Sequence, residues 1–558
     1  MKPVRGLTLP LVLLAALTFL VGLGRGPITD ADEAFYAEAA REMVESGDWV
    51  TPFYNYEPRF QKPILYYWLT AATYLATGPT ESAARLWSAL SGVGLVLLTA
   101  ACARRWYDDG VGLLAGAIVA TSFGYYSIGH MALPDLLLTF FITAAIWTAL
   151  VAMLDAPRAR SRWVALTALA VAAGFLTKGP VGVVIPGLVV LPIVLLERRG
   201  LNLRLSDAGL ALIIFVVVAF PWYGAMWSRH GSVYFESFFL GDNVERFATD
   251  RFNDPRAWWF YGPVLLGGLL PWTPIALVWL GPAWRFLTRR QDLETMELRL
   301  LLWGLLPLVF YSISVGKQPR YILPVLPPLA ILLAQSVLER TRDWRSLDGA
   351  RVRVRRGRPI VAGALGAGVL LILLALAMWR VQPLLLNVAP MQTTAAGLVI
   401  GLMGAMVIAV GVSGAWRQVP AALALAAAVT FAAIQYGGLT GSGDDTVEQV
   451  ARAVVSARQG GEAVGTHQML VRNLVFYTHV QTTDLITDEQ VTTFLKRTER
   501  VLVVAPAEAV ARLEQAEGRR YEHLAEFPYF NQAGIRVRTL IAPEATRDLM
   551  RVLLIANR

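Results

Sequence analysis

The chain has 558 residues, 55% of them hydrophobic and only 16% charged, against roughly 25% charged in an average soluble domain. That imbalance excludes an ordinary soluble protein, and the net charge of +9 reflects arginines in short loops between apolar runs rather than a nucleic-acid surface. One cysteine, Cys102, lies inside an apolar run, which excludes a disulfide framework and a cysteine metal site.

In chain order, the run 7–24 follows Lys2 and Arg5 like a signal peptide but lacks a small-residue cleavage pattern, so it reads as the first span. The stretch Thr29–Ala72 comes next and concentrates acids, tyrosines, tryptophans and Lys62-Pro63. Asp32 and Glu33 open an amphipathic helix with the stripe Phe35/Tyr36, Ala39/Ala40, Met43/Val44, and Gly47 ends it. An extended run Trp49–Phe60 and a partial or re-entrant helix at 63–77 follow. The stretch is too polar to cross a bilayer and too aromatic for a free loop, so it is expected to lie on the membrane interface.

With about 20 apolar residues needed per span, the remaining candidates are 82–103, 111–129, 135–153, 163–177, 180–196, 207–227, 258–281, 299–315, 320–338, 360–379, 393–414 and 420–438. The total is thirteen. Arg104/Arg105, Arg158/Arg160/Arg162, Arg198/Arg199/Arg204, Arg285/Arg289/Arg290 and the basic run 340–358 fall in alternate loops, which makes those loops and the N-terminus cytoplasmic. The opposite face then receives the 28–80 loop, His130–Asp135, Thr177–Pro180, the loop 228–257 and Lys317–Arg320. Residues 1–438 thus read as a helical membrane domain. Residues 439–558 read as a small α/β extracytoplasmic domain, with strand-like 501–505 and 535–542 and helical 507–516 and 545–556. His467, His479 and His523 lie there without metal-ligand spacing.

Chemistry gathers on that one face. Asp32 and Glu33 read either as an acidic first turn, capped by Thr29 or Asp30, or as a general base at the bilayer rim. Asp135 reads as the N-cap of its apolar helix, a role compatible with aiming an oxygen into a cavity. Lys62, Lys178, Arg246, Lys317 and Arg320 read either as snorkelling side chains or as cations for an anionic partner such as a lipid phosphate. They stand on the side the positive-inside rule disfavours. Tyr36, Tyr66, Tyr67, Tyr321 and the run Trp258–Tyr261 are candidates for a sugar or prenyl cavity or for an interface belt.

The motifs DEAFYAEAAREMVESGDWVTP, FQKPILYYWL, LPD, LTKGPV, PWY, NVERF, PWTP and SVGKQPRYILPVLPPLA run in order across about residues 28–330. Together they resemble the membrane glycosyltransferases of the protein O-mannosyltransferase/aminoarabinose transferase (ArnT-like) group of the GT-C superfamily. The resemblance implies a polytopic GT-C fold in a bacterial inner membrane and a polyprenyl-phosphate-linked sugar donor used on the extracytoplasmic face. The implied reaction is transfer to a lipid or glycan acceptor with inversion. It also implies roles: Asp32 as catalytic base, Asp135 as second acidic residue, Lys62 and Arg246 on the lipid phosphate, Lys178 and Tyr321 at the cavity.

Three positions depart from the aminoarabinose-transferase pattern: Phe35-Tyr36 replaces Arg-Tyr, Gln61 replaces the glutamate before Lys62-Pro63, and Gly241-Asp242-Asn243 stands where a histidine is usual. The missing glutamate and histidine argue against a carried-over zinc site; no cofactor is expected from these motifs, and a divalent metal is left open without their support. The missing arginine leaves the sugar and the acceptor open, protein O-glycosylation included. A sugar-lipid flippase is the alternative from another class, disfavoured because charges stand at one rim instead of mid-membrane. A non-catalytic membrane scaffold with a periplasmic binding domain is a third reading.

Overall fold

The computed structural model describes residues 8–155, 159–197, 204–249, 255–279, 295–342, 350–438, 445–530, 538–539 and 542–558. Arg158, Arg198, Arg199, Arg285, Arg289, Arg290 and most of the expected strand 535–542 lie outside the described residues.

Every expected span coincides with a helix or a bent helix pair. The first ten helices are α1 (Thr8–Leu20), α2 (Asp32–Ser46), α3 (Leu65–Thr77), α4 (Glu81–Trp106), α5 (Asp109–Ala120), α6 (Phe123–Gly129), α7 (Asp135–Leu154), α8 (Arg160–Lys178), α9 (Val181–Leu196) and α10 (Leu205–His230). Among the described residues, eight helices are long and apolar enough to cross a membrane. Two bent pairs raise this to ten: α5 with α6, bent by 55°, and Tyr261–Gly268 with Thr273–Trp279, bent by 107°. The other three expected spans fall short of that measure. Helices α1 and α9 have 13 and 16 residues, and α8 opens on charged Arg160 and Arg162. The chain is a polytopic helical membrane protein.

Small residues let these helices approach closely. A side chain at Gly182 would meet the backbone of Gly174 at 2.4 Å, so α8 and α9 pack backbone to backbone beyond their shared turn. That turn needs Gly179, whose φ of +79° and whose approach to Phe238 (2.4 Å from a hypothetical Cβ) both exclude a side chain.

The 28–80 loop differs from an interfacial layer. Helix α2 ends at Gly47 in the left-handed conformation, as expected. Yet its buried residues include Glu38, Arg41 and Glu42 on the polar side as well as Tyr36, Ala40 and Met43. It is enclosed, because α3 and α4 pack on one side and a C-terminal unit on the other. The cap also differs: Ala31 is the N-cap, without a side-chain bond. After α2 the chain forms a short hairpin, β1 (Phe53–Tyr54) with β2 (Glu57–Pro58).

Residues 445–558 contain a five-stranded mixed sheet, β3 (Val464–Thr466), β4 (Thr482–Asp484), β5 (Leu502–Pro506), β6 (Glu522–Tyr529) and β7 (Met550–Ala556), in the order β4-β3-β5-β7-β6. β3 runs parallel to β4 and β5, while β7 is antiparallel to β5 and β6. The expected helix 545–556 is therefore a correction: only Ala545–Asp548 is helical, and Met550–Ala556 is a strand. A short apolar run such as Val552-Leu553-Leu554-Ile555 fits either period, and pairing on both edges decides it.

This unit is docked on the 28–80 loop. Tyr477 Oη accepts the Ile28 N–H at 2.8 Å and donates to Glu81 at 2.8 Å. The hairpin tip contributes Asn55, which exchanges bonds of 2.8 Å with the Thr482 backbone in both directions.

Candidate active site

Seven of the candidate residues converge. Asp32 begins α2; Lys62 stands in the irregular chain before α3; Asp135 begins α7 just after Pro134; Lys178 ends α8 before Gly179-Pro180. Arg246 follows a π-helical segment, Glu236–Glu245, and Arg320 and Tyr321 belong to the 3-10 segment Pro319–Val325. The Gly316 N–H donates to the Arg246 carbonyl at 3.2 Å and the Val315 N–H to that of Phe247 at 2.9 Å, fastening these last two segments together.

The charges alternate along two short chains. Arg320 donates to Asp32 and also faces Asp135 at 3.4 Å, and Asp135 binds Lys178 at 2.6 Å. Lys178 Nζ lies 4.8 Å from the centre of the Tyr321 ring. In the second chain, Asp242 binds Arg246 at 2.7 Å and Lys62 at 3.4 Å.

All of these except Asp32 line one cavity of about 480 Å³. Its other walls are apolar, including Leu138, Val181, Phe239, Phe247 and Phe310. The lining residues Val184, Leu240 and Val244 are themselves exposed on the outer surface of the helices. One end of the cavity is thus cationic and the rest is built for an aliphatic chain, open where lipid would lie.

Environment sets the charge states. Burial alone would raise the Asp32 carboxyl, but Arg320 beside it, with Arg472 and Arg246 further off, holds it below the usual value. Burial pushes Lys62 down, Asp242 opposes this, and Arg246, Lys178 and Arg59 add to it, leaving Lys62 at about 7.

Four expected site residues lie elsewhere. Glu33 is fully buried, with Arg85 at 2.7 Å, the Ala132 N–H at 2.9 Å and the Thr29 N–H and hydroxyl at 3.0 and 2.9 Å. It ties the first loop to α4 and to the turn before α7, and it is not free to act on a substrate. Lys317 turns away from the cavity and donates to the carbonyls of Ser314 and Arg256. Tyr66 is buried behind the site, donating to Ala84 at 3.1 Å, and Tyr36 stacks on Tyr67 with ring centres 5.5 Å apart. Asp135 makes no cap; its carboxylate is spent on Lys178 and Arg320. His467 is buried between the Leu485 carbonyl and Asp488, and His523 faces Glu514. Among the described residues no three His, Cys, Asp or Glu are placed to hold a metal ion.

Sequence reasoning missed Asp242, which joins the two cations of the second chain. Its signal was the spacing of four to Arg246, the ion-pair spacing of a helix.

Residues 27–235 match the family model described as dolichyl-phosphate-mannose-protein mannosyltransferase. Two curated relatives carry the name undecaprenyl phosphate-alpha-4-amino-4-deoxy-L-arabinose arabinosyl transferase. The protein of Aeromonas salmonicida is 34% identical over 339 residues, 60% of this chain and 60% of its own. That of Pseudomonas paraeruginosa is 36% identical over 348 residues, 61% of each. The match therefore spans about three fifths of those relatives. A crystal structure of ArnT from Cupriavidus metallidurans bound to undecaprenyl phosphate superposes with a TM-score of 0.72 at 22% identity, covering 100% of this chain and 98% of that one. At that identity the likeness establishes the fold. In sequence over about three fifths of its length this chain is similar to those transferases, and in fold it is similar to ArnT along its whole length.

Proposed function

We propose that this ArnT-like chain is a glycosyltransferase that takes a sugar from a polyprenyl-phosphate donor and passes it to a lipid or cell-envelope glycan. The observation that carries this reading is the cavity itself: Lys62, Lys178, Arg246 and Arg320 gather at one end of an apolar groove open to lipid, beside Asp32 and Asp135. The membrane part, residues 1–438, comprises thirteen spans with a cytoplasmic N-terminus. Residues 439–558 and the site face the extracytoplasmic side.

In this mechanism the prenyl chain lies along Leu138, Val181 and Phe239, and its phosphate takes the cations. The acceptor hydroxyl gives its proton to Asp32 while its oxygen bonds to the anomeric carbon. The bond from that carbon to the phosphate oxygen breaks, and its electron pair stays on the phosphate. One in-line displacement inverts the carbon. Fixed cations stabilise the departing phosphate most in the transition state, where its charge is growing. Asp135 holds Lys178 and Arg320 in place.

Native mass spectrometry of the gently solubilised protein tests the reading. Co-purified polyprenyl phosphate or its glycosylated form supports it, and fragmentation names the sugar. Bulk phospholipid alone, with added undecaprenyl phosphate failing to bind, overturns it.

A further inference from the structure

The C-terminal unit reaches the acidic turn of α2. Asp30 accepts the backbone N–H of Arg472 at 2.7 Å and that of Val471 at 3.2 Å. Asn473 donates to the Ile28 carbonyl at 2.9 Å, and Tyr54 Oη donates to the Arg472 carbonyl at 3.1 Å. These bonds seize the chain two to four residues ahead of Asp32. They also fix the backbone of Arg472 from both sides.

The Arg472 guanidinium then lies 5.3 Å from the centre of the Phe35 ring, and the Arg59 guanidinium lies 3.9 Å from it. Phe35 stands three residues after Asp32, one helical turn along the same face. Among the described residues neither arginine forms an ion pair with a carboxylate, whereas Lys62, Lys178, Arg246 and Arg320 all do. The Arg472 charge is left to act through space on Asp32. A cation carried on the turn after β3, held by backbone bonds at the base of the reacting helix, is more than a docking contact.

We infer that Arg472 is a positioning residue for the transfer reaction, presented to Asp32 by the C-terminal unit, so that the base is complete only when that unit is docked. This rests on the proposed function and on Asp32 as the base. The groups facing Asp32 are Arg320 and Arg246 from the membrane part, Tyr36 and Tyr67 from the loop helices, and Arg472. Asp484 faces Arg472 from its own unit, and Asp30 faces it from the chain ahead of α2. Removing Arg472 takes away one of three cations that favour the carboxylate, so Asp32 is protonated at higher pH than before.

The test is the pH profile of kcat/KM for release of polyprenyl phosphate, using the full chain and the donor glycolipid that co-purifies with it. Arg472→Gln is expected to move the acid limb to higher pH, lowering turnover several-fold at the foot of the limb and less than twofold on the plateau. Arg472→Lys restores the wild-type limb, and Asn473→Ala, which loosens the carrier without changing a charge, moves it in the same direction as Arg472→Gln. An unmoved limb, or a loss uniform across all pH values, overturns the inference and reduces Arg472 to a structural contact. If Asp32→Asn transfers sugar at the wild-type rate, Asp32 is not the base and this inference falls while the transferase reading stands; if the wild-type chain releases no polyprenyl phosphate, the transferase reading itself falls.

Discussion

The Lys62 ammonium stands 3.4 Å from the carboxylate of Asp242, 180 residues further along the chain. A loop and a π-helical segment that are remote in sequence share one buried charge, and that charge is finely balanced. Burial lowers Lys62 from the usual lysine value to about 7, with Asp242 as the opposing influence.

A pH optimum for lipid binding follows. Lys62 is charged below about 7 and neutral above it, while a phosphate monoester gains its second charge near about pH 6. Affinity for undecaprenyl phosphate is expected to rise through pH 6 and fall above pH 7, because binding then requires Lys62 to take up a proton. Lys62→Arg keeps its charge and removes the alkaline decline. Binding titrations across neutral pH in detergent check both statements.

Asp32 and Glu33 are adjacent and are expected to fail differently. Asp32→Asn should lower transfer by roughly 10²–10⁴-fold, the usual weight of general-base catalysis, with lipid binding and melting temperature retained. Glu33→Gln strands the buried Arg85 guanidinium and should cost roughly 3–5 kcal/mol of stability. Thermal unfolding measured beside a transfer assay separates the two.

Among the cations near the site, Arg320 and Lys317 make a matched pair for mutation. Arg320→Ala removes the group that joins Asp32 to Asp135, so both lipid affinity and transfer should fall at least tenfold. Lys317→Ala removes only bonds to the carbonyls of Ser314 and Arg256 and should leave lipid affinity unchanged. An equal loss in both variants would show that the phosphate sees the whole rim instead of the cavity.

Gly179→Ala should destabilise the protein by roughly 1–3 kcal/mol, since its backbone conformation is nearly exclusive to glycine and its new methyl would strike Phe238. Because Lys178 precedes it, lipid affinity should fall too. Gly187→Ala in α9, where a methyl meets nothing within 4 Å, is the control and should be neutral or slightly stabilising. Melting curves and lipid titration of the two variants make the comparison.

Most membrane helices were legible because they are long apolar runs, and Gly47 was legible as the end of α2. The grouping of Asp32, Asp135, Lys62, Lys178, Arg246 and Arg320 was foreshadowed by their all falling in loops of one face. What could not be read was which charge met which. Glu33 and Asp32 look equivalent in a helix's first turn, and only the position of Arg85 on α4 separates a structural carboxylate from a reactive one. Lys317 and Arg320 are likewise three residues apart, and the 3-10 geometry beginning at Pro319 sends them to different surroundings. The burial of α2 was missed because the C-terminal unit that covers it, through the short helix Leu474–Thr478, begins more than 400 residues later. Strand β7 was missed because its six apolar residues carry no period of their own.

The π-helical segment Glu236–Glu245 carries five residues where an ordinary helix would use about four per bond ring, so it behaves as a helix with one residue too many. Removing one residue between Phe238 and Asp242 would let the backbone relax to regular α geometry and would cost little locally. It would also draw everything beyond it back by one residue, about 1.5 Å along the axis, carrying the Asp242–Arg246 pair together off Lys62 and breaking the seam with Gly316. The segment's length is therefore a gear setting: side chains along it are open to exchange, but the number of teeth is not.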